Sequence, residues 1–315
     1  MLEDRKENAV FQNAKLPYAL ININGKLIVH WVDAVALDFR YGFFRDSIEA
    51  LPLNKRVCAI TPIEDLFSLP ASQEPAEEKA IGLIYHCSRC GSTLLCQMLK
   101  CHPDFIVIGE LGIFSSILKS RSLPSEQKMN ALRKVAAAFQ DWAAASGKRV
   151  IFKLTSWQIE YWEILSEAFD TASAVLLFRE PIAVIESLLR KPPNWLLNEI
   201  QMEGNRESAL CEEAVRIYSH NAQKALEFKS VRPAMLIDYE NMDNSLEQIL
   251  EQFEAKGSEG ILKKMKSQKQ FYAKSSAKDP VPISMKEKKP NLIDRCGYEP
   301  QMILESAQLA YARLL

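Results

Sequence analysis

Residues 81–99, IGLIYHCSRCGSTLLCQML, decide how the rest of the chain is read. Ile81, Leu83, Ile84 and Tyr85 suit a buried strand. Residues 87–91 do not continue it, and from Thr93 onward Leu94, Leu95, Met98 and Leu99 recur at helical spacing. The stretch therefore predicts a strand, a small polar loop and a helix. Such a loop presents unpaired backbone N–H groups at the positive end of a helix dipole, which binds an anion. Gly91 permits close approach of the backbone, Ser92 and Thr93 add hydroxyls, and Arg89 adds a planar fork of donors. A phosphate or sulfate fits this set.

The loop also lacks something. A kinase or NTPase loop carries Gly-Lys-Ser/Thr, with the lysine on the β/γ-phosphates. Here Gly91 precedes Ser92 directly and the cation, Arg89, lies on the other side of the glycine.

Downstream, apolar strands alternate with helical segments, the pattern of an α/β fold with a parallel sheet and helices on both faces. Strands are expected at 105–108, 150–154, 173–178 and 234–238, and helices at 123–146, 157–169, 195–229 and 245–255. Pro181 begins another helix, and Lys191-Pro192-Pro193 breaks it. Upstream, residues 1–78 read as an N-terminal accessory segment preceding an α/β domain at 79–315. The accessory segment holds a hairpin at 18–29 around Asn24-Gly25 and ends in a Pro/Glu-rich linker at 69–78. Its aromatics Trp31, Phe39, Tyr41, Phe43 and Phe44 either pack on the main domain or line an acceptor site.

Composition excludes several classes. A chain of 315 residues with 48% hydrophobic and 25% charged residues is an ordinary globular one. Its net charge of −1 gives no support for nucleic-acid binding, and no run approaches bilayer-spanning length. The charged start MLEDRKENAV and the odd count of seven cysteines lead to an expectation of a cytoplasmic protein with reduced thiols.

In open α/β sheets ligands sit beyond the carboxyl ends of the strands, so the residues just after each strand are the candidates. Arg179 follows LLF where an ATPase often places a magnesium-binding aspartate, and Ser187 lies two helical turns on. Lys153 ends IFK, Glu110 follows FIVIG, and Asp238 ends MLID.

Taken together, these residues resemble the PAPS-dependent sulfotransferases, in the bacterial and tyrosylprotein-sulfotransferase-like branch. SRCGST resembles that family's 5′-phosphosulfate loop, with Ser88 and Cys90 replacing the usual proline and serine. FREPIAVIES, with Arg179 and Ser187, resembles its 3′-phosphate site, and DYE at 238–240 resembles its late Tyr-Glu segment. The resemblance spans most of the chain from residue 80. It implies a P-loop-like three-layer fold and a nucleotide donor, PAPS (3′-phosphoadenosine 5′-phosphosulfate), with no metal. Ser88, Arg89, Cys90, Gly91, Ser92 and Thr93 would hold the 5′ group, and Arg179 and Ser187 the 3′-phosphate. Lys153 would stabilise the leaving oxygen, and Glu110 would take the acceptor proton. Leu154 follows Lys153 where the cytosolic branch has a histidine, so His86 and His102 are the alternative bases. Lys274, Lys278 or Lys286, in a lysine-rich segment at 263–289, would close on the 3′-phosphate.

Four alternatives stand beside these assignments. Asp238 with magnesium would serve a metal-dependent kinase, and the Cys87/Cys90 pair suggests a zinc- or nucleotide-binding protein without catalysis. Glu110 would otherwise be a helix N-terminal carboxylate, and Arg179 would pair with Glu180 or Glu186.

Overall fold

The computed structural model describes residues 14–69, 81–193, 196–197, 206–271 and 298–315. Most of the linker expected at 69–78, and Lys274, Lys278 and Lys286, fall outside them.

Two sheets form. β1 (Lys15–Ile23), β2 (Lys26–Asp33) and β3 (Ala59–Pro62) make an antiparallel sheet in that order. The expected hairpin turn is present, with Asn24 and Gly25 at φ 52° and 83°, the left-handed pair that a tight two-residue turn requires. β4 (Gly82–His86), β5 (Phe105–Gly109), β6 (Arg149–Lys153), β7 (Ser173–Phe178) and β8 (Met235–Asp238) make the parallel sheet, in the order β5-β6-β4-β7-β8.

Because successive side chains in a strand point to opposite faces, each strand divides its residues between two cores. Leu83, Tyr85, Phe152, Leu176 and Phe178 join one core, whereas Ile84, Ile151, Val175 and Leu177 join the other. The first core is covered by the helices Gly112–Lys119, Ser125–Ala144, Pro181–Arg190, Arg206–Val231 and Tyr298–Leu314. The second is covered by Ser92–Leu99, Leu246–Gln252 and Glu259–Ser267. This is the expected three-layer α/β arrangement. Leu16, Val29, Trp31, Phe44 and Leu66 of the N-terminal segment are buried in the same first core as Phe139 and Phe152, so the segment packs on the main sheet's layer.

One local expectation is met within two residues at each end and two are revised. The helix expected at 123–146 runs Ser125–Ala144 and ends as anticipated near Gly147, at φ 70°. The helix expected at 157–169 is a 3₁₀ turn, Ser156–Tyr161, followed by Trp162–Ala168. Its cap is Thr155, whose N–H donates to the Gln158 side chain (2.8 Å) in a capping box. Third, reduced thiols hold for Cys58, Cys87, Cys90, Cys96 and Cys101, but Cys211 is disulfide-bonded. No described helix is long and apolar enough to cross a membrane.

Candidate active site

Strand register brings the candidates to one edge. Gly109 pairs with Lys153, Ile84 with Lys153, His86 with Leu177, and Phe178 with Asp238. Neighbouring strands lie about 4.8 Å apart, so Glu110, Lys153, the loop at 87–91, Arg179 and Tyr239 follow one another along the carboxyl rim.

In the loop, Ser88, Arg89 and Gly91 all have positive φ, at 71°, 47° and 82°. Runs of this kind turn successive N–H groups inward, as anion-binding nests do. The first intrahelical bond of Ser92–Leu99 runs from the Leu95 N–H to Gly91 O (3.0 Å), leaving the N–H groups of Ser92, Thr93 and Leu94 without an intrahelical acceptor. Ser92 and Thr93 are both buried against this turn. Arg89 Nη2 donates to Lys191 O (2.6 Å), which ties the loop to the end of the helix Pro181–Arg190. Cys90 turns its thiol inward to Leu177 O (3.4 Å), so only its main chain faces the loop mouth.

Glu110 and Lys153 are joined twice. The Glu110 N–H donates to Lys153 O (2.8 Å), and Lys153 Nζ contacts Glu110 Oε1. Glu110 adopts φ 55°, a left-handed conformation that turns its side chain out of the strand direction and onto the neighbouring lysine. Lys153 is 1% exposed and the Glu110 side chain 32%, so the pair is closed on the lysine side and open on the carboxylate side. Glu110 is thus the partner of Lys153 and not a helix cap; the helix that follows starts at Gly112.

Arg179 has neither of the two expected carboxylates as partner. Glu180 caps its own helix, accepting from the N–H groups of Ile182 (2.9 Å) and Ala183 (2.8 Å), and Glu186 lies 3.9 Å from Arg190. The Arg179 guanidinium stacks 4.2 Å from the Tyr239 ring centre, with Nη2 3.8 Å from Glu240. Its Nε is buried with no hydrogen-bond partner among the described residues. Ser187 is half-buried on the helix Pro181–Arg190, two turns further along.

The Tyr239 ring also closes on Gly91. A Cβ there would lie 2.4 Å from the ring, so glycine is demanded both by φ and by contact. Tyr239 therefore links the loop to Arg179. Sequence reading did not find this, because the two partners are 148 and 60 residues away and no local pattern encodes the stack.

The alternative bases are otherwise engaged. His86 Nε2 lies 2.9 Å from Leu154 O while its Nδ1 accepts from the Ser88 N–H (3.2 Å). His102 repeats the motif, with Nε2 3.1 Å from Lys256 O and Nδ1 accepting from the Asp104 N–H (3.3 Å). One ring nitrogen donates and the other accepts, which is the neutral imidazole acting as a clip. Asp238, the candidate magnesium ligand, accepts from the Tyr311 hydroxyl (3.2 Å). The thiols of the CxxC pair point to different carbonyls, Cys87 to Asn221 O (4.0 Å) and Cys90 to Leu177 O, and burial holds the Cys87 thiol well above its ordinary range. A thiolate for zinc or redox chemistry is disfavoured there.

The N-terminal segment supplies what the sequence left open. Gly42 O would meet a Cβ on Gly109 at 2.5 Å, and the Phe43 ring centre lies 5.0 Å from Lys153 Nζ. Trp31 and Phe44 are core residues and Phe39 packs against Trp142 (4.7 Å between ring centres), whereas Phe43 reaches the Glu110–Lys153 pair.

No family model and no curated protein matches this chain. Among solved structures, it is similar to the sulfotransferase domain from the Synechococcus PCC 7002 olefin synthase at 19% identity and TM-score 0.45, covering 77% of this chain and 98% of that one. It is similar to a mouse sulfotransferase complexed with PAP at 13% identity and TM-score 0.47, covering 93% and 98%. A sulfotransferase from Alicyclobacillus acidocaldarius matches at 14% identity and TM-score 0.42, covering 74% and 93%. At these scores the functional reading rests on the residues of this chain.

Proposed function

We propose that this protein is an enzyme that moves a sulfuryl group from PAPS to an acceptor hydroxyl or amine. One observation carries the reading. The Glu110–Lys153 pair stands one strand away from an anion loop that has an arginine and no lysine. Phosphoryl transfer has to neutralise a highly charged group and uses a loop lysine with metal ions. Sulfuryl transfer moves a group with little charge of its own and needs a cation at the bridging oxygen.

The residues divide the work as follows. Arg89 and the loop N–H groups at 89–93 hold the 5′ end of the donor, the Ser88 N–H being spent on His86 Nδ1, and Arg179 with Ser187 holds its 3′-phosphate. The acceptor oxygen attacks sulfur in line, its proton passing to the Glu110 carboxylate. The bond from sulfur to the bridging oxygen breaks, the electron pair stays on that oxygen, and Lys153 neutralises it. Without substrate, Lys153 and Glu110 hold each other. A donor phosphate offers Lys153 a second anionic partner, which releases the carboxylate to accept a proton.

The test is transfer from PAPS labelled in its sulfuryl group, in EDTA, to a panel of phenols, alcohols, sugars and amines. The reading predicts metal-independent transfer that falls roughly 10²- to 10⁴-fold in Glu110→Gln. Transfer of phosphate from ATP with magnesium, and none from PAPS, would overturn it.

A further inference from the structure

Four consecutive residues of the N-terminal segment are fastened across the catalytic rim. Arg40 O accepts from Gln97 Nε2 (3.4 Å), Tyr41 O from Lys100 Nζ, Gly42 lies against Gly109, and Phe43 sits on Lys153. Gln97 lies on the helix started by the anion loop and Lys100 caps its C-terminus, and Gly109 immediately precedes Glu110. The strap thus touches the helix behind the anion loop and both strand ends that carry Glu110 and Lys153. Its backbone carbonyls face the main domain, and the first side chain it commits to the site is an aromatic ring.

We propose that Phe43 is a positioning residue for the transfer reaction: its ring face holds and dries the Lys153 ammonium beside Glu110. The inference rests on the role given to Lys153 above. The geometry is specific. Lys153 is almost fully buried, with the Glu110 carboxylate on one side and the Phe43 ring at 5.0 Å. A ring face within about 6 Å of an ammonium attracts it, and more strongly when water is excluded. Phe43 is itself half-buried, held by the helix Phe44–Glu49, whose first turn closes with the Asp46 N–H on Phe43 O (3.1 Å). The ring gives the ammonium an apolar support that does not compete with the donor's bridging oxygen when the lysine turns to it.

The test separates ring chemistry from space filling. Phe43→Leu keeps the apolar volume and removes the π face, Phe43→Tyr and Phe43→Trp keep the face, and Phe43→Ala opens the site. Trace acetylation with acetic anhydride at fixed pH, followed by peptide mapping, reads the reactivity of Lys153 against that of surface Lys26 in the same sample. Release of sulfate from PAPS to water reads catalysis without a known acceptor. Lys153 is expected to acetylate at least threefold faster in Phe43→Leu than in the wild type, with sulfate release falling by a similar factor. Both return toward wild type in Phe43→Tyr or Phe43→Trp, while the Tm values of Leu, Tyr and Trp variants agree. Wild-type acetylation and turnover in Phe43→Leu would overturn the proposal. If Lys153→Met keeps full activity, the underlying role of Lys153 fails instead; if Lys153→Met is inactive while Phe43→Leu behaves as wild type, only the Phe43 inference falls.

Discussion

Glu110 and Lys153 hold each other at both main chain and side chain: the Glu110 N–H donates to Lys153 O at 2.8 Å, and the lysine's ammonium meets the glutamate's carboxylate. The register that pairs Gly109 with Lys153 makes this inevitable once Glu110 turns left-handed. Removing either partner leaves a charge in a partly dry site. Lys153 is 1% exposed, so Glu110→Gln leaves the costlier orphan, and a loss of about 2–4 kcal/mol is expected by urea denaturation, below the fully buried limit because the carboxylate is partly solvated. The double variant Glu110→Gln/Lys153→Met should lose less than the sum of the singles, since each removes the other's penalty. Strict additivity would contradict the coupling.

Arg89 separates stability from function. At φ 47° an arginine is strained by roughly 1–2 kcal/mol, a cost glycine does not bear. Arg89→Gly should therefore melt within a few degrees of the wild type, despite losing the bond to Lys191 O. Affinity for 3′-phosphoadenosine 5′-phosphate should fall about tenfold or more, as for a charge-assisted contact. Thermal melts and titration of the same preparation read the two effects apart.

Gly91→Ala meets two obstacles at once, a φ of 82° and a Cβ 2.4 Å from the Tyr239 ring. The ring cannot move without leaving Arg179, so the substitution should cost about 1–3 kcal/mol and also weaken binding of the 3′-phosphate. Tyr239→Leu, which frees the space without straining the loop, should weaken that binding while sparing the fold. A Gly91→Ala protein with wild-type melting and binding would show that the stack is not tight.

Lys100 gives a pH signature. Burial lowers its ammonium from the ordinary 10.5 to about 8, with Lys153 adding to the shift while Cys96 and Asp38 oppose it. Below about pH 8 both folded and unfolded chains hold the proton, and the cost of the buried charge is constant. Between about 8 and 10.5 only the unfolded chain holds it, so unfolding takes up a proton and this group's contribution to stability rises with pH. Buried Cys96, pushed up to about 11, acts in the opposite direction above pH 9, so the informative quantity is the difference from Lys100→Met. Stability relative to that variant should climb from pH 8 to 10, and a flat difference would contradict it.

The parts of this site that lie next to each other in the chain were legible before any coordinates. A strand followed by Ser-Arg-Cys-Gly-Ser-Thr and a helix is local chemistry, and a hydrophobic run ending in a charged residue marks each strand's carboxyl end whatever the sheet order. That Lys153 and Glu110 become partners was not legible, since it depends on β5 lying beside β6 rather than β4. The same holds for Tyr239 between Gly91 and Arg179, and for Phe43 over Lys153, 110 residues away. The histidines, backup bases in the sequence and more readily structural residues, are structural in the fold, and sequence alone does not separate the two roles. A ring that spends one nitrogen on the N–H two residues on and the other on distant main chain looks, in sequence, identical to one with a nitrogen to spare.

The most direct test of the account is calorimetric titration of metal-free protein with 3′-phosphoadenosine 5′-phosphate, beside ATP with magnesium and the Arg179→Ala variant. The account predicts that the bisphosphate binds without metal and that binding weakens by roughly 2 kcal/mol in the variant, as expected for loss of a charge-assisted contact. Binding of ATP with magnesium and none of the bisphosphate would contradict it.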